Sequence, residues 1–121
     1  MTYPRDYGGQ AEQHALSFLL ARGLKMVERN FHSRRGEIDL VMLDTDNLVF
    51  VEVRSRNNDN FGSAAESVTR KKQLRIIQAA RYFLQQRSQW AEYPCRFDVI
   101  AMTGRPNGKI DWIKNAFQPT Q

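Results

Sequence analysis

The stretch GEIDLVMLDTDNLVFVEVRSR (residues 36–56) decides the fold, because it holds two apolar runs around a short polar segment. That segment, DTDN at 44–47, is suited to a tight turn. The runs at 37–43 and 48–54 therefore predict two antiparallel strands joined as a hairpin. Four charged residues nevertheless lie within these strands: Glu37, Asp39, Glu52 and Arg54.

The position of the turn predicts which residues face one another. With the turn centred between Thr45 and Asp46, one face of the hairpin opposes Leu43 to Leu48, Val41 to Phe50, Asp39 to Glu52, and Glu37 to Arg54. The other face opposes Met42 to Val49, Leu40 to Val51, and Ile38 to Val53. Both faces are apolar near the turn, which is typical of strands covered on two sides. An extra residue in the turn would move Asp39 to the other face.

The opposed pair Asp39 and Glu52 is the feature that points to chemistry. Directly opposed residues have Cβ atoms about 4.5–5.5 Å apart, where like charges are destabilising. Burial adds the cost of desolvating unpaired carboxylates. A divalent cation between the two would remove this penalty, and hard oxygen ligands suit Mg²⁺ or Mn²⁺. The alternative is an ion-pair cluster in which Arg54 and Arg56 neutralise the acids.

A third acid lies on a predicted first helix at residues 9–22, which Gly23 is suited to end. The apolar stripe of this helix comprises Ala11, Ala15, Leu16, Leu19 and Leu20, and Glu12 falls within it. A carboxylate on a face that packs against a sheet needs a partner, so Glu12 is a further candidate ligand. The alternative is a favourable interaction of Glu12 with the helix dipole.

The remaining pattern predicts the order helix, three strands, helix, two strands. The additional strands are expected at 24–31, 96–102 and 110–113. A second helix begins after Thr69 as N-cap. Its apolar stripe is Leu74, Ile77, Ala80 and Leu84, extending to Ile76 and Phe83. This helix can act as a crossover that lets strand 96–102 lie parallel to an earlier strand. The 121 residues fit one domain spanning residues 1–121.

Positive charge is concentrated in the second half of the chain. The net charge is +5, and residues 61–121 hold ten Lys and Arg against four Asp and Glu. Within 70–87 there are six basic residues and no acid. This asymmetry suggests a polyanionic partner, DNA first and RNA as an alternative, unless the basic run is only a solvated helix face.

Other features of the composition indicate a cytoplasmic protein without a membrane partner. No apolar run approaches the roughly 18 residues of a membrane span. The first residues, MTYPRDYGGQAEQH, contain no apolar segment typical of secretion. The lone Cys95 is expected to be a buried small hydrophobe rather than a nucleophile.

The pattern acid–x–Asp on one strand and apolar–Glu–x–basic on the next resembles the PD-(D/E)XK restriction-endonuclease-like nuclease superfamily, and within it the Holliday-junction-resolvase branch. More closely, the chain is similar to the small bacterial YraN family. The matching stretches are AEQHAL (11–16), RGEIDLV (35–41), LVFVEVRSR (48–56) and RFDVIA (96–101). The resemblance implies an α/β fold with a three-layer restriction-endonuclease-like core, in which a mixed central sheet of about five strands is flanked by helices.

The resemblance also implies a metal-dependent endonuclease that hydrolyses phosphodiester bonds in DNA, including branched or repair and recombination intermediates. Asp39 and Glu52 would hold Mg²⁺ or Mn²⁺, with Glu12 supporting the same site. Arg54 stands where the superfamily usually has lysine. Arginine is effectively always protonated, so it can orient groups and stabilise charge but cannot act as a general base. Lys71 or Lys72 on the next helix could supply the missing amine.

These considerations define a predicted site. The predicted catalytic residues are Asp39, Glu52, Arg54 and Glu12, and Glu37 is expected to support the site or to hold Arg54. Nucleic-acid contacts are predicted for Arg56, Lys71, Lys72 and Arg75. Gln78 and Tyr82 form Q-x-x-x-Y, which resembles a motif of the RecB-type nucleases, but surface or phosphate contacts are the expected role here. The alternative to an enzyme is a nucleic-acid-binding module that keeps the nuclease fold with little or no turnover.

Overall fold

The computed structural model describes residues 3–56, 68–103 and 109–119, without the side chains of 3–8 and 56. The elements in chain order are α1 (Tyr3–Ala21), β1 (Lys25–His32), β2 (Glu37–Asp44), β3 (Asn47–Arg56), α2 (Arg70–Gln86), β4 (Cys95–Thr103) and β5 (Lys109–Phe117). A short 3-10 turn, Ser88–Trp90, follows α2. The predicted loop at 57–63 and the predicted turn at 104–108 lie outside the described residues.

The five strands form one mixed sheet in the order β1-β2-β3-β4-β5. Every neighbouring pair is antiparallel except β3 and β4, which run parallel because α2 returns the chain between them. Helix α1 packs over one sheet face and α2 over the other, each with its own apolar cluster. The predicted α/β class is confirmed, and the layers are consistent with a three-layer restriction-endonuclease-like core. Neither helix is long and apolar enough to cross a membrane within the described ranges.

The predicted hairpin register is confirmed near the turn and fails farther from it. Pairs run from Asp44 opposite Asn47 to Leu40 opposite Val51. The expected opposition of Ile38 and Val53 does not form, because Ile38 packs in the cluster under α2 and Val53 packs against the cluster under α1. The alternation of side chains along β2 is therefore broken at Asp39.

Helix α1 ends as predicted but begins earlier. Gly23 has a φ of 94°, its N–H donates to the Leu20 carbonyl (3.0 Å), and the Leu24 N–H donates to the Leu19 carbonyl (3.2 Å). This pair of bonds is a Schellman motif. The helix begins at Tyr3 rather than at residue 9, since Pro4 is tolerated in a first turn, where its missing N–H has no helical partner. Leu20, predicted inward, is exposed.

Helix α2 begins as predicted, with the Thr69 hydroxyl accepting a bond from the Lys72 N–H (3.2 Å). Its inward face is rotated from the predicted stripe. Leu74 is 43% exposed. The buried residues are Ile76, Ile77, Ala79, Ala80 and Phe83. Cys95 is also exposed rather than buried, because it stands at the first position of β4, before the strand enters the core.

Candidate functional site

The central sheet divides between β2 and β3, and the candidate site lies in this division, which we call the fork. Pairing of β2 with β3 ends at Leu40 opposite Val51. Beyond that point β2 stays paired with β1 as far as Glu37 opposite His32, whereas β3 stays paired with β4 to the end of both strands. The two middle strands thus follow different neighbours, and the first residues beyond their last pair are Asp39 and Glu52.

Asp39 replaces part of the missing strand pairing with its side chain. The Val53 N–H, which points toward β2, donates to Oδ2 of Asp39 at 2.8 Å. Burial raises the pKa of the Asp39 carboxyl above its ordinary value, while the bonds from Val53 and Glu52 act in the opposite direction. The carboxylate therefore holds the two strands together at the point where their backbones separate.

Glu52 is the more deeply buried acid, with 5% of its surface exposed. Burial, and then the charge of Asp39, raise the pKa of Glu52 to about 7, although Lys72 opposes the shift. The two carboxyl groups adjoin each other, and their interaction acts to raise the pKa of Glu52 and to lower that of Asp39. At neutral pH Glu52 is therefore partly protonated, so the pair carries less than the two negative charges of separate carboxylates.

Glu12 reaches the fork from α1, on the opposite side of the sheet from α2. Its carboxyl group contacts Asp39 and the side chain of Asn30. Burial, followed by the charge of Asp39, raises the pKa of Glu12, while Arg29 lowers it. Asp39 is therefore the middle member of a row of acids, because it touches Glu12 on one side and Glu52 on the other.

Two cations face the acids, and one of them comes from α2. Lys72 Nζ lies 3.1 Å from Oε2 of Glu52, and Nη1 of Arg54 lies 3.8 Å from the same oxygen. Lys72 precedes Ile76 by four residues and Ala79 by seven, so it lies in line with the buried face of α2, although its own side chain is 45% exposed. The sequence suggested Lys71 and Lys72 alike, and the structure places Lys72 against Glu52.

The other predicted site residues take less direct positions. Glu37 lies near Asp39, whose pKa its charge raises, but it is exposed and pairs with His32 (3.2 Å) rather than with Arg54. Lys71 is exposed on the outer side of α2. The side chain of Arg56 lies outside the described residues.

A cleft of about 490 Å³ gives access to Asp39, Glu52 and Lys72. Its rim is formed by the turn at 33–36 and by Arg75 of α2. Positive side chains therefore surround an acidic floor.

The donor chemistry of the floor fits a hard divalent cation. Asp39 and Glu52 offer carboxylate oxygens, and their raised pKa values mark a place where added positive charge is favourable. In the described part of the chain, however, no three acidic, histidine or cysteine side chains are grouped so that they could hold a metal ion. Glu12 would have to move from its contact with Asp39, or act through water, to join the other two.

Fold and site together define an α/β protein whose mixed sheet opens onto one buried and one partly buried carboxyl group. Comparison with known sequences gives its family. Residues 11–102 match Uncharacterised protein family UPF0102, and the chain belongs to this family. A UPF0102 protein of Pseudomonas savastanoi pv. phaseolicola is 52% identical over 91% of both chains. One from Ectopseudomonas mendocina is 48% identical over 97% of this chain and 98% of the relative.

Proposed function

We propose that the protein is a metal-dependent nuclease of the PD-(D/E)XK type that hydrolyses phosphodiester bonds in DNA. The observation that carries the proposal is the adjoining pair of Asp39 and Glu52 at the fork, the first partly buried and the second buried, beneath a rim of arginines. A fold selected only for stability gains nothing from this pair, since both pKa values are raised by burial. Clusters of perturbed acids in clefts are typical of functional sites.

Asp39 and Glu52 would hold Mg²⁺ or Mn²⁺, with Glu12 in support. When bound, such a cation supplies a water of lowered pKa and neutralises charge on the phosphate. The protein itself would hold the ligand atoms in place. The Val53 N–H fixes one oxygen of Asp39, which leaves its other oxygen for a ligand. Glu52 would have to be ionised to hold the cation, because only the carboxylate form coordinates.

Lys72 is the candidate for the amine that the strand motif lacks. Arg54 occupies the motif position, but its guanidinium cannot take up a proton. Lys72 carries an ammonium group to the same oxygen of Glu52 at the shorter distance of 3.1 Å. Lys72 would orient the attacking water or stabilise the charge that develops on the phosphate, and Arg54 would hold a phosphate oxygen.

The experiment is a cleavage assay on branched, flapped, nicked and linear DNA with Mg²⁺, with Mn²⁺ and with EDTA. We expect metal-dependent products that Asp39→Asn and Glu52→Gln abolish. Asp111→Asn is the matched control, because Asp111 is a half-exposed acid on β5 that pairs with Lys109. Failure of every substrate to be cleaved with either metal would contradict the proposal.

Lys72 is tested in the same assay by three variants. Lys72→Met should lower kcat by roughly 10²- to 10⁴-fold if the amine takes part in proton transfer. Lys72→Arg should restore activity only if positive charge alone is needed. Lys71→Met is the matched control, because its side chain is exposed on the same helix turn.

A second candidate function is a DNA-binding module with little or no turnover. Arg54 in place of lysine favours it, as does the lack of a grouped three-ligand site among the described residues. This candidate predicts metal-independent binding of DNA with no product after long incubation.

A further inference from the structure

A groove of about 690 Å³ lies beside the carboxylate cleft, and nothing in the proposed reaction uses it. One wall is the turn that joins β1 to β2, and the other is the outer face of α2. Residues Ser33, Arg34 and Arg35 border both the groove and the cleft. The two depressions therefore lie side by side on one surface.

The turn that separates them is held firmly. The Ser33 N–H donates to the Gly36 carbonyl (2.9 Å), and the Gly36 N–H donates to the Ser33 hydroxyl (3.2 Å). Gly36 lies so close to α2 that a Cβ there would meet the Arg75 carbonyl oxygen at 2.6 Å. Arg34 and Arg35 are thus presented from a fixed position between the groove and the cleft.

The groove carries positive charge that no acid in the described ranges neutralises. Arg34, Arg35 and Arg81 border it, and all three are exposed. Within the described ranges none of the three forms an ion pair with an acid, in contrast to Arg87 and Arg96, which pair with Glu28 and with Asp44 and Asp98. Unpaired arginines along a groove attract a phosphate backbone.

An aromatic ring stands among these charges. Tyr82 borders the groove and is 43% exposed. Its ring is backed by the buried ring of Phe31, with 6.0 Å between centroids. Duplex bases are stacked on one another, so an exposed ring in a groove is useful to an unpaired base, which can stack on it. Gln78, one turn earlier on the same face of α2, offers donors and acceptors to the base edge.

From this geometry we infer that the groove binds a single strand of DNA, with one base stacked on Tyr82 and its phosphates contacting Arg34, Arg35 and Arg81. The inference rests on the proposed function for the identity of the ligand and extends it by specifying the substrate's form. Lys72 and Tyr82 are ten residues apart on α2, or about 15 Å along the helix axis. At about 3.4 Å per stacked nucleotide, this span corresponds to roughly four nucleotides between the stacked base and the acids.

The test is fluorescence anisotropy with labelled oligo-dT of two to twelve nucleotides in EDTA, which separates binding from cleavage. We expect affinity to rise steeply up to about five nucleotides. Tyr82→Ala should weaken binding by roughly 5- to 150-fold, and Tyr82→Phe should retain it. Tyr93→Ala is the matched control, because Tyr93 is similarly exposed (37%) and lies outside the groove. Tyr82→Leu keeps apolar bulk against Phe31 but lacks the aromatic ring, so its affinity for oligo-dT provides the test if Tyr82→Ala does not fold.

Several outcomes overturn the inference and leave the nuclease proposal standing. Unchanged oligo-dT affinity in both Tyr82→Ala and Tyr82→Leu would do so, as would tighter binding of duplex DNA than of oligo-dT by the wild type. Oligo-rU bound more tightly than oligo-dT would exclude single-stranded DNA as the occupant. Conversely, Tyr82-dependent binding of oligo-dT without metal-dependent cleavage would support the inference and contradict the nuclease proposal.

Discussion

Glu52 shows how the electrostatics of a single residue constrain the site. The residue is 5% exposed, and its carboxyl group adjoins a second acid and has a pKa raised to about 7 by burial and by Asp39. A proton on Glu52 therefore replaces part of the positive charge that a cation would bring. Lys72 supplies another part across 3.1 Å. Near neutral pH the site can consequently gain or lose about one unit of positive charge, brought by a proton or by a bound cation.

The pH dependence of stability follows from this residue. Because folding raises the pKa of Glu52, the folded state binds the proton more tightly, and stability falls as pH rises from about 4.5 to about 7. Glu52→Gln cannot ionise, so it should match the wild type near pH 4.5. At pH 8 we expect it to exceed the wild type by on the order of 3 kcal/mol.

Urea unfolding of both proteins across this pH range measures the effect. Glu92→Gln is the control, because Glu92 is exposed and should show no such divergence. A gap between Glu52→Gln and the wild type that stays constant with pH would argue against a protonated Glu52.

Binding of a divalent cation should stabilise the folded protein by mass action. At a metal concentration of ten times Kd the gain is about 1.4 kcal/mol, which corresponds to a Tm increase of roughly 5 °C. The increase should be larger at pH 8 than at pH 6, since protons compete for Glu52. Asp39→Asn should remove most of it, whereas Asp111→Asn should not. A wild-type Tm indifferent to millimolar Mn²⁺ would indicate a structural ion-pair cluster instead.

At the scale of elements, the decisive contact is between the turn at 33–36 and α2. Gly36 allows the turn to approach the helix backbone at Arg75, where any larger residue would meet a carbonyl oxygen at 2.6 Å. This contact sets the width of the cleft and of the neighbouring groove at once, because residues of the turn border both. A small change in sequence at this position should therefore affect both depressions.

Gly36→Ala tests this contact. The added methyl group must displace the turn or the helix, because the obstructing atom belongs to the backbone, and we expect a loss of about 1–3 kcal/mol in unfolding free energy. Gly9→Ala is the matched control. A Cβ at Gly9 meets nothing within 4 Å, so this helical substitution should stabilise by roughly 0.5–1 kcal/mol. Equal effects of the two variants in urea unfolding would show that the close approach is unimportant.

The hairpin illustrates what sequence could predict and what it could not. Its turn and its register as far as Leu40 follow from local patterns, namely the polar segment and the alternating apolar residues. The fork could not be predicted, because it depends on whether β2 and β3 stay paired with each other or with their outer neighbours, β1 and β4. That choice is made by tertiary packing, as the location of Ile38 under α2 shows.

Helix α2 was predicted correctly in its start and in four inward residues, Ile76, Ile77, Ala80 and Phe83, but not at Leu74. Its apolar residues allow more than one inward stripe, since Leu74 is apolar yet exposed. The buried stripe lies in line with Lys72, whose side chain is itself 45% exposed. The sequence suggested Lys71 and Lys72 alike, and only the contact with Glu52 distinguishes Lys72.

At the scale of the whole molecule, the basic residues fall into two groups. Lys72 and Arg54 face Glu52 at the fork, whereas Lys71 is exposed on α2 and Arg75 stands at the rim of the cleft. DNA binding should therefore be separable from metal binding by mutation. Phosphate contacts made by these residues would release counterions and carry little sequence information.

Lys71→Ala combined with Arg75→Ala should weaken binding to all DNA sequences alike. The slope of log K against log salt should decrease by roughly one unit per lost contact between 50 and 200 mM salt. Metal-induced stabilisation should remain. Lys109→Ala with Lys114→Ala, on β5, is the control for loss of charge alone. Wild-type affinity of the first double variant throughout this range would show that the basic run is only a solvated face.

The bond from the Val53 N–H to Asp39 gives the molecule an internal spectroscopic reporter. Its neighbours along β3 donate to backbone carbonyls, whose charge is fixed, but this amide proton rests on a carboxylate whose charge changes with protonation and with occupancy. In a ¹H–¹⁵N correlation spectrum the Val53 resonance should titrate near pH 7 together with Glu52 and move again when a diamagnetic cation such as Mg²⁺ is added. Its hydrogen exchange should slow as the carboxylate becomes fixed. The single Val53 resonance would thus report directly on the protonation and the cation occupancy of Asp39 and Glu52.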